Sequence, residues 1–395
     1  MSMKVKPGYK QTEVGVIPED WEVRSIREIG AIKTGPFGTL LKAKEYSGNN
    51  GVPLVSVGEI GVGTLQISNR TPLVPSIVVS RLPQYILRTG DIVFGRKGAV
   101  DRSALVSELE NGWFLGSDGM SIRPFNFCHP PYIAYQFQCH EVQSWLLQNA
   151  TGTTMASLNQ DILSKVFIPY ATLPEQRAIA TALSDIDALL AKLDQLIAKK
   201  RDLKQAAMQQ LLTGQMRLPG FGGEWEVKRL GDVSPLQRGF DLPIKKLLKG
   251  NYPVVYSNGI LNYHANFMVK GPGIVTGRSG TIGNVHFVDE NYWPHNTSLW
   301  VTGFLKNQPK FIFYLLDSLD LERFATGSGV PTLNRNDVHA QIVRIPQTIE
   351  EQTAIATVLS DMDADITVLE SRRDKTRALK QGMMQELLTG RIRLV

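Results

Sequence analysis

At 395 residues the chain is too long for one ordinary core, and two domains of roughly 150 residues joined by helices are expected. With 43% hydrophobic residues, 20% charged residues and a mean hydropathy of −0.11 it reads as globular rather than disordered, and no apolar run approaches the ~18–20 residues of a bilayer span. The net charge of +6 suits a polyanionic partner without demanding one, and the start MSMKVKPGYKQTEVG lacks the apolar core of a secretion signal, so a cytoplasmic location is expected.

Along the chain, β-branched runs at Val52–Val57, Ile77–Ser80 and Ile92–Phe94 alternate with glycine turns and read as strands. Pro131–Gln148 reads as a helix whose Tyr132, Tyr135 and Trp145 pack into a core rather than stack on bases. The two cysteines, Cys128 and Cys139, suit neither a disulfide framework nor a zinc site and read as core thiols. Thr172 and Pro174 open a long helix that ends at Leu211-Leu212, with Gly214 as its left-handed cap. Within it Ile179, Leu183, Ile186, Leu190, Leu193 and Ile197 recur at spacings of four and three, a seam of coiled-coil type. Strands at Pro253–Tyr256 and Ile274–Thr276 follow, then a helix over Gln308–Phe324 carrying Phe311 and Tyr314. A second long helix opens after Thr348, presents Ile355, Leu359, Met362, Ile366 and Leu369, and ends before Gly390.

The second half repeats the first. EQRAIATALSDIDALL from Glu175 faces EQTAIATVLSDMDADI from Glu351, and LKQAAMQQLLTGQMRL faces LKQGMMQELLTGRIRL. Upstream, ATGTTMASLNQDI from Ala150 matches ATGSGVPTLNRNDV from Ala325, Ile168-Pro169 matches Ile345-Pro346, Trp21-Glu22-Val23 matches Trp225-Glu226-Val227, and IVFGRKG from Ile92 matches IVTGRSG from Ile274. Between these anchors, over residues 36–86 and 240–268, the copies diverge in sequence and length, as expected of one mounting that carries two different readers. The predicted fold is α+β, with two mixed α/β domains in pseudo-twofold arrangement separated by two long helices packed as an antiparallel coiled coil. A helix of about 40 residues is on the order of 60 Å long, more than one turn of DNA. After the second helix the chain reads RLV, which is compatible with the C-terminal helix packing beside the N-terminal module.

GYKQTEVGVIPEDWEV (Gly8 to Val23), the Ile-Pro and Glu-Gln pairs before each long helix, the LLTG helix ends and the duplicated layout together resemble the type I restriction-modification specificity subunit over nearly the whole chain. The resemblance implies a first target-recognition domain at 1–171, a conserved spacer helix at 172–214, a second recognition domain at 215–348 and a second spacer helix at 349–395. It implies that each domain reads one half of a bipartite duplex site and that the helices set the gap. It further implies docking of two adenine-N6 methyltransferase (modification) subunits and, through them, motor-nuclease restriction subunits. No cofactor is expected in this chain; S-adenosylmethionine, ATP and Mg are expected on those partners, and the chain itself is expected to be non-catalytic.

Duplex affinity comes largely from Lys and Arg on phosphates, and discrimination from groups that reach base edges. The paired Gly95-Arg96-Lys97-Gly98 and Gly277-Arg278-Ser279-Gly280 are candidates for DNA contact, as are Lys33 and Thr34, which align with Gln237 and Arg238. In the inserts Lys42, Lys44, Asn49, Asn50, Lys245, Lys246, Asn258, Tyr263 and His264 carry readout chemistry. Thr153, Asn159, Ser328 and Asn334 lie in the loops most alike between copies. Two different half-sites do not call for identical readers, so these are assigned to the modification-subunit interface or to fixing each domain on its helix.

Catalytic chemistry is not expected. Cys128-His129-Pro130-Pro131-Tyr132 superficially resembles an amino-methyltransferase motif, but His129 replaces its Asp, Asn or Ser, and no Gly-rich cofactor loop accompanies it. Gly90–Gly98 lacks the Gly-Lys-Ser/Thr end of a phosphate loop, and the histidines at 129, 140, 264, 286, 295 and 339 form no ligand cluster. The alternative is a pseudo-dimeric helical adaptor that binds proteins and no nucleic acid.

Overall fold

A computed structural model describes residues 6–46, 50–152, 155–327 and 329–394. The chain separates into two compact units, residues 1–192 with 373–395, and residues 193–372. The first unit is therefore discontinuous in sequence, and each long helix, Leu173–Leu212 and Ile349–Leu387, contributes one half to each unit.

In the first unit a four-stranded antiparallel sheet runs in the order Gly30–Thr34, Gly119–Pro124, Ile92–Gly95, Ser103–Leu105. The second unit repeats this order with Leu236–Arg238, Ser298–Val301, Gly273–Gly277 and Val285–Val288. The period of two along Ile92–Gly95 has a direct consequence. Ile92 and Phe94 enter the main core with Trp21, Tyr132 and Ile179, whereas Val93 enters a separate cluster with Val55, Ile60 and Leu115. Ile274 and Val275 divide in the same way between the second main core and the cluster of Val255, Val288 and Tyr292. One strand thus binds the mounting on one face and the divergent insert on the other.

The inserts share a skeleton that their sequences hide. Val52–Val55 pairs antiparallel with Leu73–Val74 and parallel with Phe114–Leu115; Tyr252–Tyr256 pairs antiparallel with Gly259–His264 and parallel with Trp293–Pro294. The strand expected at Ile77–Ser80 is instead a helix, Ser76–Arg81. Pro75 precedes it at φ −62°, and the helix buries Val78 against Leu54, Val74 and Phe114, so packing overrides the β-branched bias. The helix expected over Pro131–Gln148 is two, Pro130–Gln136 and His140–Asn149, interrupted where Phe137 turns inward to meet Phe94 edge-on at 4.6 Å. The segment Gln308–Phe324 likewise resolves into Pro309–Asp317 and a short turn of helix at Leu321–Phe324. Tyr132, Tyr135, Phe311 and Tyr314 are buried, as expected.

In each unit the start of one long helix runs antiparallel to the end of the other. Ile179 and Leu183 share the first core with Leu387 and Leu388; Ile355 and Leu359 share the second with Leu211 and Leu212. Leu193, Ile197 and Ile366 are also buried, and Ile186, Leu190, Met362 and Leu369 are half-buried, so no seam residue faces open solvent. Side chains across the pair repeat as well. Lys380 Nζ lies 2.6 Å from Asp187, which accepts from Tyr135 Oη at 2.8 Å, and Lys204 Nζ lies 2.6 Å from Asp363, which accepts from Tyr314 Oη at 2.8 Å. Burial holds both phenols well above the ordinary tyrosine range, which keeps them protonated as donors.

The tightest duplicated contact seats each domain on its helix. Glu175, fully buried, accepts from the Trp21 indole N–H at 2.8 Å and from Arg393, whose Nη2 is 2.8 Å away. Glu351 accepts from Trp225 at 3.3 Å and from Arg217 Nη2 at 2.7 Å. The next residue completes the clamp. Gln176 accepts from the His129 backbone N–H and donates to the Ala171 carbonyl, while Gln352 accepts from the Gln308 N–H and donates to the Pro346 carbonyl. Gly214 and Gly390 end the long helices at φ +73° and +72°, each beneath the tryptophan of the clamp, where a Cβ would come within 3.3 Å of Trp225 or 2.5 Å of Pro18.

Removing either carboxylate leaves the Trp21 or Trp225 indole N–H without its acceptor, while Arg393 keeps Asp20 and Arg217 keeps the Gly222 and Gly223 carbonyls. Glu175→Ala and Glu351→Ala are each expected to lower stability by about 2 kcal/mol, measured by chemical denaturation. A loss below about 1 kcal/mol in both variants would remove the clamp from its role.

Candidate nucleic-acid interface

The central strand of each sheet leaves its last glycine through Arg96 or Arg278, and the backbone around that arginine is tied down identically in the two units. Arg96 N–H donates to the Asp118 carbonyl and Arg278 N–H to the Thr297 carbonyl, both at 2.8 Å. The carbonyls of Arg96 and Arg278 accept from Leu158 and Leu333 at 2.8 and 2.7 Å. Gly98 and Gly280, at φ +79° and +89°, donate to the Ala156 and Pro331 carbonyls. The Ala-Thr-Gly…Leu-Asn loops, alike in sequence, are therefore braces for the arginine turns. Asn159 and Asn334 extend the brace as helix caps, accepting from Ile162 N–H at 2.8 Å and Asn336 N–H at 3.0 Å. Their side-chain oxygens are thus committed within the chain. Thr153, Ser328 and Asn49 lie outside the described residues.

Within this shared frame the side chains differ. In the first unit Thr34 Oγ1 accepts from Gln160 Nε2 at 3.0 Å, and the Arg96 guanidinium lies over the Phe37 ring at 4.1 Å. In the second unit the positions of Thr34 and Gln160 are taken by Arg238 and Arg335. Together with Arg278, Thr332 and Asn334 they line a cleft of about 360 Å³. Arg238 is 3.0 Å from Asp241; the guanidiniums of Arg278 and Arg335 have no carboxylate or aromatic partner among the described residues. Sequence reasoning singled out Arg238 and Arg278 but not Arg335. The available signal was a change of charge, Gln160 against Arg335, directly after an identical Leu-Asn pair.

Other candidates are more dispersed. Lys33 is half-buried with its ammonium 5.3 Å from the Tyr85 ring centre. Lys42, Lys44, Lys97, Lys245 and Lys246 are exposed, and Ser279 is half-buried beside Thr332, to which its backbone pairs. Asn50 and Tyr263 are exposed, whereas His264 is buried and its Nδ1 accepts from Leu248 N–H at 3.0 Å, so it builds the insert rather than its surface. His129 sits at the clamp described above, and desolvation holds its imidazole below the ordinary histidine range. Among the described residues no group of three His, Cys, Asp or Glu is placed to hold a metal ion, and no helix is long and apolar enough to cross a membrane.

The model of the type I restriction modification DNA specificity domain matches residues 18–199 and again 222–376. The chain belongs to this family. Its members are DNA recognition modules rather than enzymes, and the doubled match carries two of them. The chain is 26% identical over 430 residues to the type I restriction enzyme MjaX specificity subunit of Methanocaldococcus jannaschii, covering 98% of this chain and 97% of that one. It is 21% identical over 428 residues to the StySPI specificity subunit of Salmonella potsdam, covering 95% and 89%. The fold matches the crystal structure of the S subunit from M. genitalium with a TM-score of 0.66 at 15% identity, over 98% of both chains. Membership in a DNA specificity family sets aside the adaptor reading.

The capping asparagines support the arginine turns through their loops. Asn159→Ala and Asn334→Ala are each expected to cost about 1 kcal/mol, read as a lowered thermal midpoint of the purified chain. An unchanged midpoint in both would show that the caps do not brace the turns.

Proposed function

We propose that this chain is the sequence-specificity subunit of a type I restriction-modification complex in which each unit reads one half of a bipartite duplex site. The observation that carries this reading is a single mounting built twice, down to the clamp and the arginine turn, with a different insert on each. The long helices set the gap between the half-sites. The chain docks two adenine-N6 methyltransferase subunits, which bring S-adenosylmethionine, and through them the restriction subunits, which bring ATP and Mg; the complex works in the cytoplasm. Arg96, Lys97, Arg238, Arg278, Lys33 and the exposed insert lysines serve as backbone-contacting residues, and the loops around Asn159 and Asn334 contribute to the modification-subunit interface. The specificity chain supplies no catalytic group.

The test is co-expression with the neighbouring methyltransferase subunit and genome-wide mapping of N6-methyladenine, with a two-part motif of fixed gap as the expected result. Removing seven residues from each long helix at matched positions, Ile186–Lys192 and Lys375–Gln381, shortens the pair by about 10 Å. That distance corresponds to about 3 base pairs of duplex at about 34 Å per turn, and the mapped gap is expected to contract accordingly. A gap that stays the same in the shortened chain would refute the ruler.

A further inference from the structure

The duplication makes the two arginine turns comparable atom by atom, and they are not electrostatically equivalent. In the first unit the Thr34 and Gln160 side chains close on each other, and Arg96 is parked over Phe37. In the second unit three arginines, 238, 278 and 335, line one cleft, and a single carboxylate, Asp241, offsets one of them. Asp241 pairs with Arg238 through the oxygen that also accepts from Asn296. Arg278 is half-buried on a backbone fixed at both its N–H and its carbonyl, while Arg335 is exposed at the rim. Like charges that line one cleft without counter-charges favour an anion there.

We propose that this cleft is a subsite for one phosphate of the DNA backbone, present in the second unit and absent from the first. The inference rests on the reading of the chain as a duplex-binding subunit and adds which atoms of the duplex it holds and where. Guanidinium forks donate in the plane and pair bidentately with phosphate oxygens, which suits Arg278 and Arg335 lining one cleft. A phosphate rather than a base edge fits the frame. Arg278 has an identical counterpart in Arg96, and a residue common to both units cannot distinguish two different half-sites. Its brace, too, is common to both. The second unit therefore makes, at its arginine turn, an ionic contact that the first lacks at the equivalent place.

The test uses the full chain assembled with its modification subunits. Equilibrium binding to the duplex that carries its mapped motif is measured over a series of KCl concentrations for the wild type, Arg335→Gln and Arg335→Lys. Arg335→Gln gives the second unit the residue that the first already carries, so a folding failure is not expected, and an unchanged thermal midpoint checks it. The expected result is a slope of log affinity against log salt lower in magnitude by about 1, with weakening by the same factor on the motif duplex and on duplexes altered in either half-site. Arg335→Lys keeps the wild-type slope. If the wild type shows no salt-dependent, sequence-selective binding, the specificity reading itself fails. If the wild type binds selectively but Arg335→Gln leaves the slope unchanged, only the phosphate subsite fails. Loss of discrimination at one base pair in place of uniform weakening also overturns it, because Arg335 would then face a base.

Discussion

The buried carboxylates of Glu175 and Glu351 set the geometry on which everything else in each unit depends. A carboxylate removed from water is costly unless it is fully paired. Each is matched by an arginine from the segment that follows a long helix, Arg393 or Arg217, and by the indole N–H of the tryptophan that opens a domain, Trp21 or Trp225. Three separate stretches of chain are thereby forced to meet: the first strand region of the domain, the start of one long helix and the tail beyond the other. The adjacent glutamine adds the turn before the domain's own helix, through His129 or Gln308. A non-directional apolar core would let these pieces slide against one another. A buried ion pair with a further indole donor does not.

From that anchor the architecture extends in two directions. Along the long helices, apolar side chains from opposite ends meet in each core, and Tyr135 with Asp187 and Lys380, or Tyr314 with Asp363 and Lys204, fixes their register. The individual surface ion pairs contribute little to stability; their value lies in direction, because only an antiparallel register satisfies them. Across the sheet, the alternation of Ile92, Val93 and Phe94, and of Ile274 and Val275, separates the mounting from the insert by the thickness of one strand. Residues on the insert face can change without disturbing the clamp, which explains how one frame accommodates two unlike readers.

Within the mounting itself, backbone and side chains differ in how far they repeat. Backbone hydrogen bonds that hold Arg96 and Arg278 are conserved between the units because they belong to the mounting. The side chains around them, Thr34 and Gln160 against Arg238 and Arg335, are half-buried or exposed and are free to differ. A duplicated scaffold need not produce two equal grips on a polyanion; the frame repeats and the charge does not.

Sequence alone determined the duplication, the two long helices with their seams, their glycine ends and the division into alike and unlike segments, because these are carried by local periodicity and by identity between copies. It also exposed the paired Trp and Glu-Gln positions, but not that they touch, since Trp21, Glu175 and Arg393 are brought together only by the tertiary fold. The helix at Ser76–Arg81 and the break at Phe137 were settled by packing against Phe114 and Phe94, which outweighs local propensity. The common three-stranded skeleton of the inserts was invisible because backbone pairing, not side-chain identity, preserves it. Arg335 was missed for a related reason: one arginine among 43 basic residues is unremarkable until the fold sets it beside Arg278 and Arg238, where like charges share one cleft.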